Sequence, residues 1–108
     1  MAAIPTITVQ DLKEMRDEKL PHVLIDVREP DEYEGCRIEG SKLIPLGELP
    51  KRFGEITKTG DVIVHCHHGG RSARAVDFLL KQGFAGAKNL AGGIDAWSEQ
   101  IDPSVSRY

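Results

Sequence analysis

The stretch that decides the fold is "DVIVHCHHGGRSARAVDFLLKQG", Asp61 to Gly83. Its first part, Asp61 to Cys66, is an apolar run rich in β-branched residues, the pattern of a strand buried on both faces. Its second part, Arg71 to Gly83, carries apolar residues at helical spacing. Ala75, Phe78, Leu79 and Gln82 share a face, and Gly83 supplies a C-cap. Between strand and helix stand two histidines and two glycines, far more than a plain turn needs.

The rest of the chain repeats this alternation. Thr6 to Val9 is short and β-branched and reads as a first strand, followed by a helix over "QDLKEMRDE" with Thr8 and Asp11 spaced as a capping box. His22 to Val27 is a second buried strand, after which Asp31 is expected to cap a short helical turn begun by Pro30. "KLIPL" reads as a short strand stopped at Pro45, and "GELPKRFGEI" as a short helix started or interrupted at Pro50. "AKNLAGG" gives a last strand and "GGIDAWSEQ" a last helix. An irregular tail follows from about residue 101. Alternating buried strands and helices predict one α/β domain over residues 1–108, with a central, mainly parallel sheet flanked by helices on both faces. Trp97 and Phe84 are expected in its core.

Composition agrees. The 108 residues are 40% hydrophobic and 29% charged, with a formal net charge of -3. That is a globular profile, and it argues against a general nucleic-acid binder, which would be basic. No apolar run is long enough to span a bilayer, and the first fifteen residues lack the features of a signal peptide. Two cysteines, Cys36 and Cys66, are too few for a disulfide framework, which points to a reducing cytoplasm.

In parallel sheets, ligands bind beyond the carboxyl ends of the strands, and Cys66 sits at such an end. Gly69 and Gly70 let successive backbone N–H groups turn inward as a nest. The helix N-terminus adds unpaired N–H groups and partial positive charge, and Arg71 adds forked donors suited to an oxyanion. A thiol in such a ring has a lowered pKa, and the thiolate is its reactive form. The residues from His67 through His68, Gly69, Gly70 and Arg71 to Ser72 are therefore candidate binding residues around a candidate nucleophile, Cys66. A plainer reading, a turn holding a buried cysteine as a small hydrophobe, uses the same residues without chemistry. A metal site is not expected: four adjacent residues including His65, Cys66, His67 and His68 cannot all face one ion, and Cys36 would have to complete the set.

These residues resemble the rhodanese-like domains, a family of sulfurtransferases. The resemblance spans nearly the whole chain. "LIDVREPDEYEGCRIEGSKLIPL" is similar to the family's upstream motif, "VIVHCHHGGRSARA" to its active-site strand, loop and helix, and "LLKQGF" and "NLAGGIDAW" to its downstream segment. The resemblance implies that Cys66 takes a sulfane sulfur from thiosulfate or a persulfide donor and passes it to a thiophilic acceptor. It also implies that the loop stabilises the persulfide, that Arg71 holds the donor's oxyanion end, and that no cofactor is needed. Cys36-Arg37, where many members carry Gly-His, and the ending "DPSVSRY" look like the member domains joined to enzymes that activate ubiquitin-like sulfur carriers. That implies a relay to a sulfur-carrier or thiol protein as an alternative role.

Two further alternatives stand behind these. Cysteine phosphatases and arsenate reductases place five residues between Cys and Arg, whereas four stand between Cys66 and Arg71 here. A non-catalytic regulatory module would have little use for an intact cysteine loop. Asp26 and Arg28, at the end of a buried strand, are expected to anchor neighbouring loops rather than react. Cys36 is read as a packed residue in preference to a resolving thiol, and Arg37 and Lys42 as solvated surface in preference to a basic rim. A monomer is the simplest expectation.

Overall fold

The computed structural model describes residues 3–58 and 60–108. The expectation of no signal peptide falls partly on residues 1 and 2, which lie outside the described residues. Five parallel strands form one sheet in the order β1-β5-β4-β2-β3, where β1 is Thr6–Ile7, β2 His22–Asp26, β3 Lys42–Leu43, β4 Asp61–His65 and β5 Ala87–Leu90. The helices are α1 (Val9–Asp17), α2 (Pro30–Gly35), α3 (Leu49–Arg52), α4 (Gly70–Lys81) and α5 (Gly93–Gln100).

Strand β4 sits in the middle because Val62, Ile63 and Val64 are all fully buried, two toward one face and one toward the other. Val62 and Val64 meet Leu49 of α3 and Ala75, Val76 and Leu79 of α4. Ile63 meets Leu12 of α1 and Ile94 and Trp97 of α5. Helices therefore cover both faces, and Phe84 and Trp97 lie in the two cores as expected. The register places Ile25 opposite Val64 and Asp26 opposite His65, so β2 and β4 end side by side. From β2 the chain continues to β3 on one side, and from β4 it continues to β5 on the other. The crevice between them is the switch point at which open parallel sheets bind ligands.

Several local boundaries depart from the sequence reading: the strands read over "HVLIDV", "KLIPL" and "DVIVHC" end at Asp26, Leu43 and His65. The first strand ends at Ile7, because Thr8 turns to cap α1: its hydroxyl accepts the Asp11 N–H at 3.0 Å, and the Asp11 carboxylate accepts the Thr8 N–H at 3.0 Å. Glu29, not Asp31, occupies the cap of α2; its N–H is taken by the Glu32 carboxylate at 3.0 Å. The segment around Pro50 is not one helix but a four-residue α-helix between two 3-10 turns. On α4 the buried face is Ser72, Ala75, Val76 and Leu79, whereas Phe78 and Gln82 lie at its margin. Gly83 follows the helix end at φ 94°, the left-handed conformation expected of a stop glycine. Among the described residues no helix is long and apolar enough to cross a membrane.

Candidate active site

Strand β4 delivers Cys66 to the crevice, and the loop to α4 wraps its sulfur. Gly69 adopts φ 129°, a conformation that side chains disfavour, and its N–H points at Cys66 Sγ from 3.1 Å. Backbone N–H groups of Arg71 and Ser72, in the first turn of α4, also lower the thiol's pKa, and the Ser72 hydroxyl lies 3.4 Å from the sulfur. Burial pushes the Cys66 thiol up, yet the Ser72 hydroxyl and the N–H groups of Ser72, Gly69 and Arg71 outweigh it, so the net shift is downward. The nest is thus drawn from Gly69, Arg71 and Ser72 of the stretch expected from sequence.

Carbonyls must face away for these N–H groups to face inward, and α5 arranges that. The N–H groups of Ile94 and Asp95 bind the carbonyls of Cys66 and His67 at 2.9 and 3.1 Å. Gly93 makes this docking possible, since a Cβ there would stand 2.4 Å from the Cys66 oxygen. Asn89, on β5, holds the other side. Its amide nitrogen donates to the Gly69 carbonyl at 3.2 Å and its oxygen accepts the Ser72 hydroxyl at 2.5 Å. The single Ser72 proton therefore has two acceptors, Asn89 and the sulfur, and ionisation of Cys66 favours the sulfur.

Arg71 crosses from α4 to α2. Its guanidinium grips Glu32 through two bonds, Nη1 to Oε1 at 2.6 Å and Nη2 to Oε2 at 3.0 Å. Tyr108 folds back and donates its hydroxyl to Glu32 Oε2 at 2.6 Å, accepts a bond from Arg28 Nη1 at 3.0 Å, and stacks on the His67 ring at 3.9 Å. The irregular tail thus reaches the site, anchored on the way by Val105 in the core and by Arg107 on Asp95. The Arg71 bonds hold the Glu32 carboxyl down at about 2 against its burial, so it is ionised at any working pH. Cys66 is only 1% exposed, so a donor reaches the sulfur only when part of this cover shifts.

Asp26 and Arg28 are wholly buried at the end of β2 and make a forked pair, with Arg28 Nε 3.0 Å from Oδ1 and Nη2 2.7 Å from Oδ2. Arg28 Nη2 also donates to the Cys36 carbonyl at 2.7 Å, which ties the end of β2 to the end of α2. His65 lies buried beside this pair with neither ring nitrogen hydrogen-bonded, and burial holds its pKa down to about 4. It is a neutral neighbour of the site, not a charge in it.

His68 is exposed, with Nε2 3.8 Å from Asp95 Oδ2. Among the described residues, the ligand atoms that converge as for a metal are those of His67, His68 and Asp95, within 4.8 Å of one another; the grouping of His65 and Cys66 with Cys36 does not form. Arg107 already binds that Asp95 carboxylate. Cys36 is a free, partly buried thiol packed in the α1–α5 core, with Arg28 Nη1 3.8 Å from its sulfur. Arg37 stacks on Tyr33 and Lys42 pairs with Glu55, so neither forms a rim at the site. Sequence reasoning missed Glu32, Asn89, Gly93 and Tyr108. Asn89 alone carried a signal, as a polar residue inside an apolar strand.

Comparison with known proteins places this geometry in a family. Residues 8–100 match the family model described as "Rhodanese-like domain". The adenylyltransferase and sulfurtransferase MOCS3-2 of Zea mays is 35% identical over 109 residues, covering 94% of this chain and 23% of that protein. The chain thus spans about a quarter of that relative. The crystal structure of a rhodanese-related protein from Thermoplasma volcanium superposes with a TM-score of 0.83 at 34% identity, covering 96% of this chain and 99% of the other. The human single-domain sulfurtransferase TSTD1 superposes with a TM-score of 0.79 at 25% identity, covering 91% and 98%.

Proposed function

The chain belongs to the rhodanese-like domain family, and we propose that it is a sulfurtransferase carrying sulfane sulfur on Cys66 as a persulfide. One observation carries the reading: the Gly69 N–H and the Ser72 hydroxyl stand 3.1 and 3.4 Å from a single sulfur whose pKa is lowered. The ring stabilises negative charge on that sulfur and, with modest widening, on a second sulfur bonded to it.

The reaction follows from the thiolate. Cys66 Sγ attacks the outer sulfur of thiosulfate; a new S–S bond forms while the old one breaks, and sulfite leaves with the electron pair. A persulfide donor reacts alike, leaving as its own thiolate. An acceptor thiolate then attacks the outer sulfur of the Cys66 persulfide and restores the Cys66 thiolate. No electrons are gained or lost overall, so the chemistry calls for neither metal nor organic cofactor. In this reading Arg71 holds the oxyanion end of the donor once it turns from Glu32, and Asp26 with Arg28 keeps the crevice in shape. The four-residue interval between Cys66 and Arg71 favours a single sulfur over a phosphoryl group, which needs a wider ring.

A protein-to-protein relay is a second reading, favoured by the relative in which a similar domain accompanies an adenylyltransferase. There the acceptor would be a ubiquitin-like sulfur carrier, met in trans by a cytoplasmic monomer. Intact mass measurement tests the main reading. Thiosulfate, mercaptopyruvate or a persulfidated desulfurase should add one sulfur to the protein, removable by a reductant and lost in Cys66→Ala. No gain with any of the three refutes it.

A further inference from the structure

Around the sulfur, Arg28 and Arg71 are both already matched by carboxylates. Arg28 is committed to Asp26, and Arg71 is held by both oxygens of Glu32 in a two-bond grip. Planar forked pairing of this kind is also how an arginine binds a sulfonate or thiosulfonate oxyanion, so Glu32 and the donor's oxyanion end need the same face of the same group.

We propose that Glu32, positioned by Tyr108, is the specificity-determining residue of this site: it competes with the donor's oxyanion for Arg71, and so sets the enzyme against small free dianions and toward persulfide donors that carry no oxyanion. The inference rests on the sulfur-transfer reading above. Three observations support it. Glu32 is held in place from three sides, by Arg71, by the Tyr108 hydroxyl at 2.6 Å and by the Glu29 N–H at 3.0 Å. Its charge is not relieved by acid, because its carboxyl stays ionised down to about pH 2. Asp31, the neighbour of Glu32 on the same helix, lines a cavity with Glu32 and Tyr108, so this wall of the site carries two carboxylates. An incoming dianion meets repulsion from this wall and must also displace Glu32 from Arg71. A persulfide donor, attacked by Cys66 at its outer sulfur and bearing at most one charge on the persulfide itself, does not need Arg71.

Tyr108 acts through Glu32 and is a positioning residue. It lies 76 positions from Glu32 in the chain, and its ring is half exposed while stacked on His67. Removing its hydroxyl takes away one of the bonds that hold the carboxylate toward Arg71, together with one acceptor of the buried Arg28.

The test uses two probes of matched size and different charge on the full chain, in a Cys36→Ser background so that only Cys66 reacts. Alkylation rates with iodoacetate, an anion, and iodoacetamide, its neutral counterpart, are measured at one pH and expressed as a ratio. The ratio cancels any change in the pKa of Cys66. Glu32→Gln should raise it several-fold, the size expected for removing one charge roughly 7 Å from an anion at an intermediate effective dielectric. The same variant should lower the KM for thiosulfate about tenfold, because the repulsion doubles for a dianion, with kcat within about twofold and persulfide donors unaffected. Tyr108→Phe should shift both readings the same way by about twofold. A ratio unchanged in Glu32→Gln, with the fold intact by circular dichroism, overturns the proposal; so does an equal loss with every donor, which would mean a structural role. If Glu32→Gln does not fold, an unmoved ratio in Tyr108→Phe overturns it. Because alkylation needs no sulfur donor, failure of the sulfur-transfer reading would leave this result separately readable.

Discussion

Replacing Ser72 by alanine removes one donor to Cys66 and leaves the main-chain ring in place. The hydroxyl stands 3.4 Å from Sγ, and its proton is shared with Asn89 Oδ1 at 2.5 Å. A hydrogen bond to a charged acceptor contributes about 1.5–3 kcal/mol, and sharing with Asn89 puts this one at the lower end. At about 1.4 kcal/mol per pKa unit, the midpoint of Cys66 ionisation should rise by roughly one unit. The consequence for rate changes sign with pH. Well below the midpoint the thiolate fraction falls about tenfold, but the more basic thiolate is intrinsically about threefold more nucleophilic, so alkylation slows only three- to fourfold. On the alkaline plateau, where both forms are fully ionised, the variant should react about threefold faster. The pH profile of iodoacetamide alkylation, read site by site by mass spectrometry, displays both limbs and their crossing. The substitution also leaves Asn89 Oδ1 without a donor at a cost of about 1–2 kcal/mol, which denaturant unfolding registers separately. A midpoint that stays put or moves down, or two profiles that never cross, would show that the hydroxyl serves Asn89 alone and that the backbone ring does all the work of lowering the pKa.

Other expectations concern the supports of the ring. Gly93→Ala would drive a methyl into the Cys66 and His67 carbonyls, at 2.4 and 2.5 Å, so sulfur loading should fall at least tenfold while the helices, followed by far-ultraviolet circular dichroism, are kept. Asp26→Ala strands a buried guanidinium and should cost about 3–5 kcal/mol in denaturant unfolding. His65 has a folded-state pKa of about 4 against 6.5 unfolded, so its contribution is complete above pH 6.5 and is lost as pH falls toward 4, a total of about 3 kcal/mol. His65→Leu should flatten the stability curve across that window relative to the parent, measured as the difference between the two proteins' unfolding free energies; parallel curves would mean that His65 titrates alike in the folded and unfolded chain.

Much of the site was legible because it is local. A strand that ends one residue before Cys66, a glycine that tolerates φ 129°, and a helix beginning at Gly70 lie within a few residues of one another, and backbone geometry over so short a span follows from residue type. The same holds for the Thr8–Asp11 capping box and for the buried strands that predicted an α/β sheet. The misplaced details were also local contests. Glu29 displaced Asp31 as the cap because Glu32 could take its N–H, and Val76 displaced Phe78 on the buried face of α4 because the sheet touches only a narrow stripe of that helix.

What folding alone decided are the pairings between distant segments. Arg71 finds Glu32 across 39 positions, Tyr108 finds Glu32 across 76, and Asn89 finds Ser72 across 17. Charge and hydrogen-bonding capacity can be read from each residue by itself, but direction cannot: a guanidinium, a carboxylate or an amide bonds whatever the packed helices and strands set within about 3 Å of it. The chain's own order marks the candidate nucleophile and the loop proposed to cradle it; the sheet's crossing connections chose the company they keep.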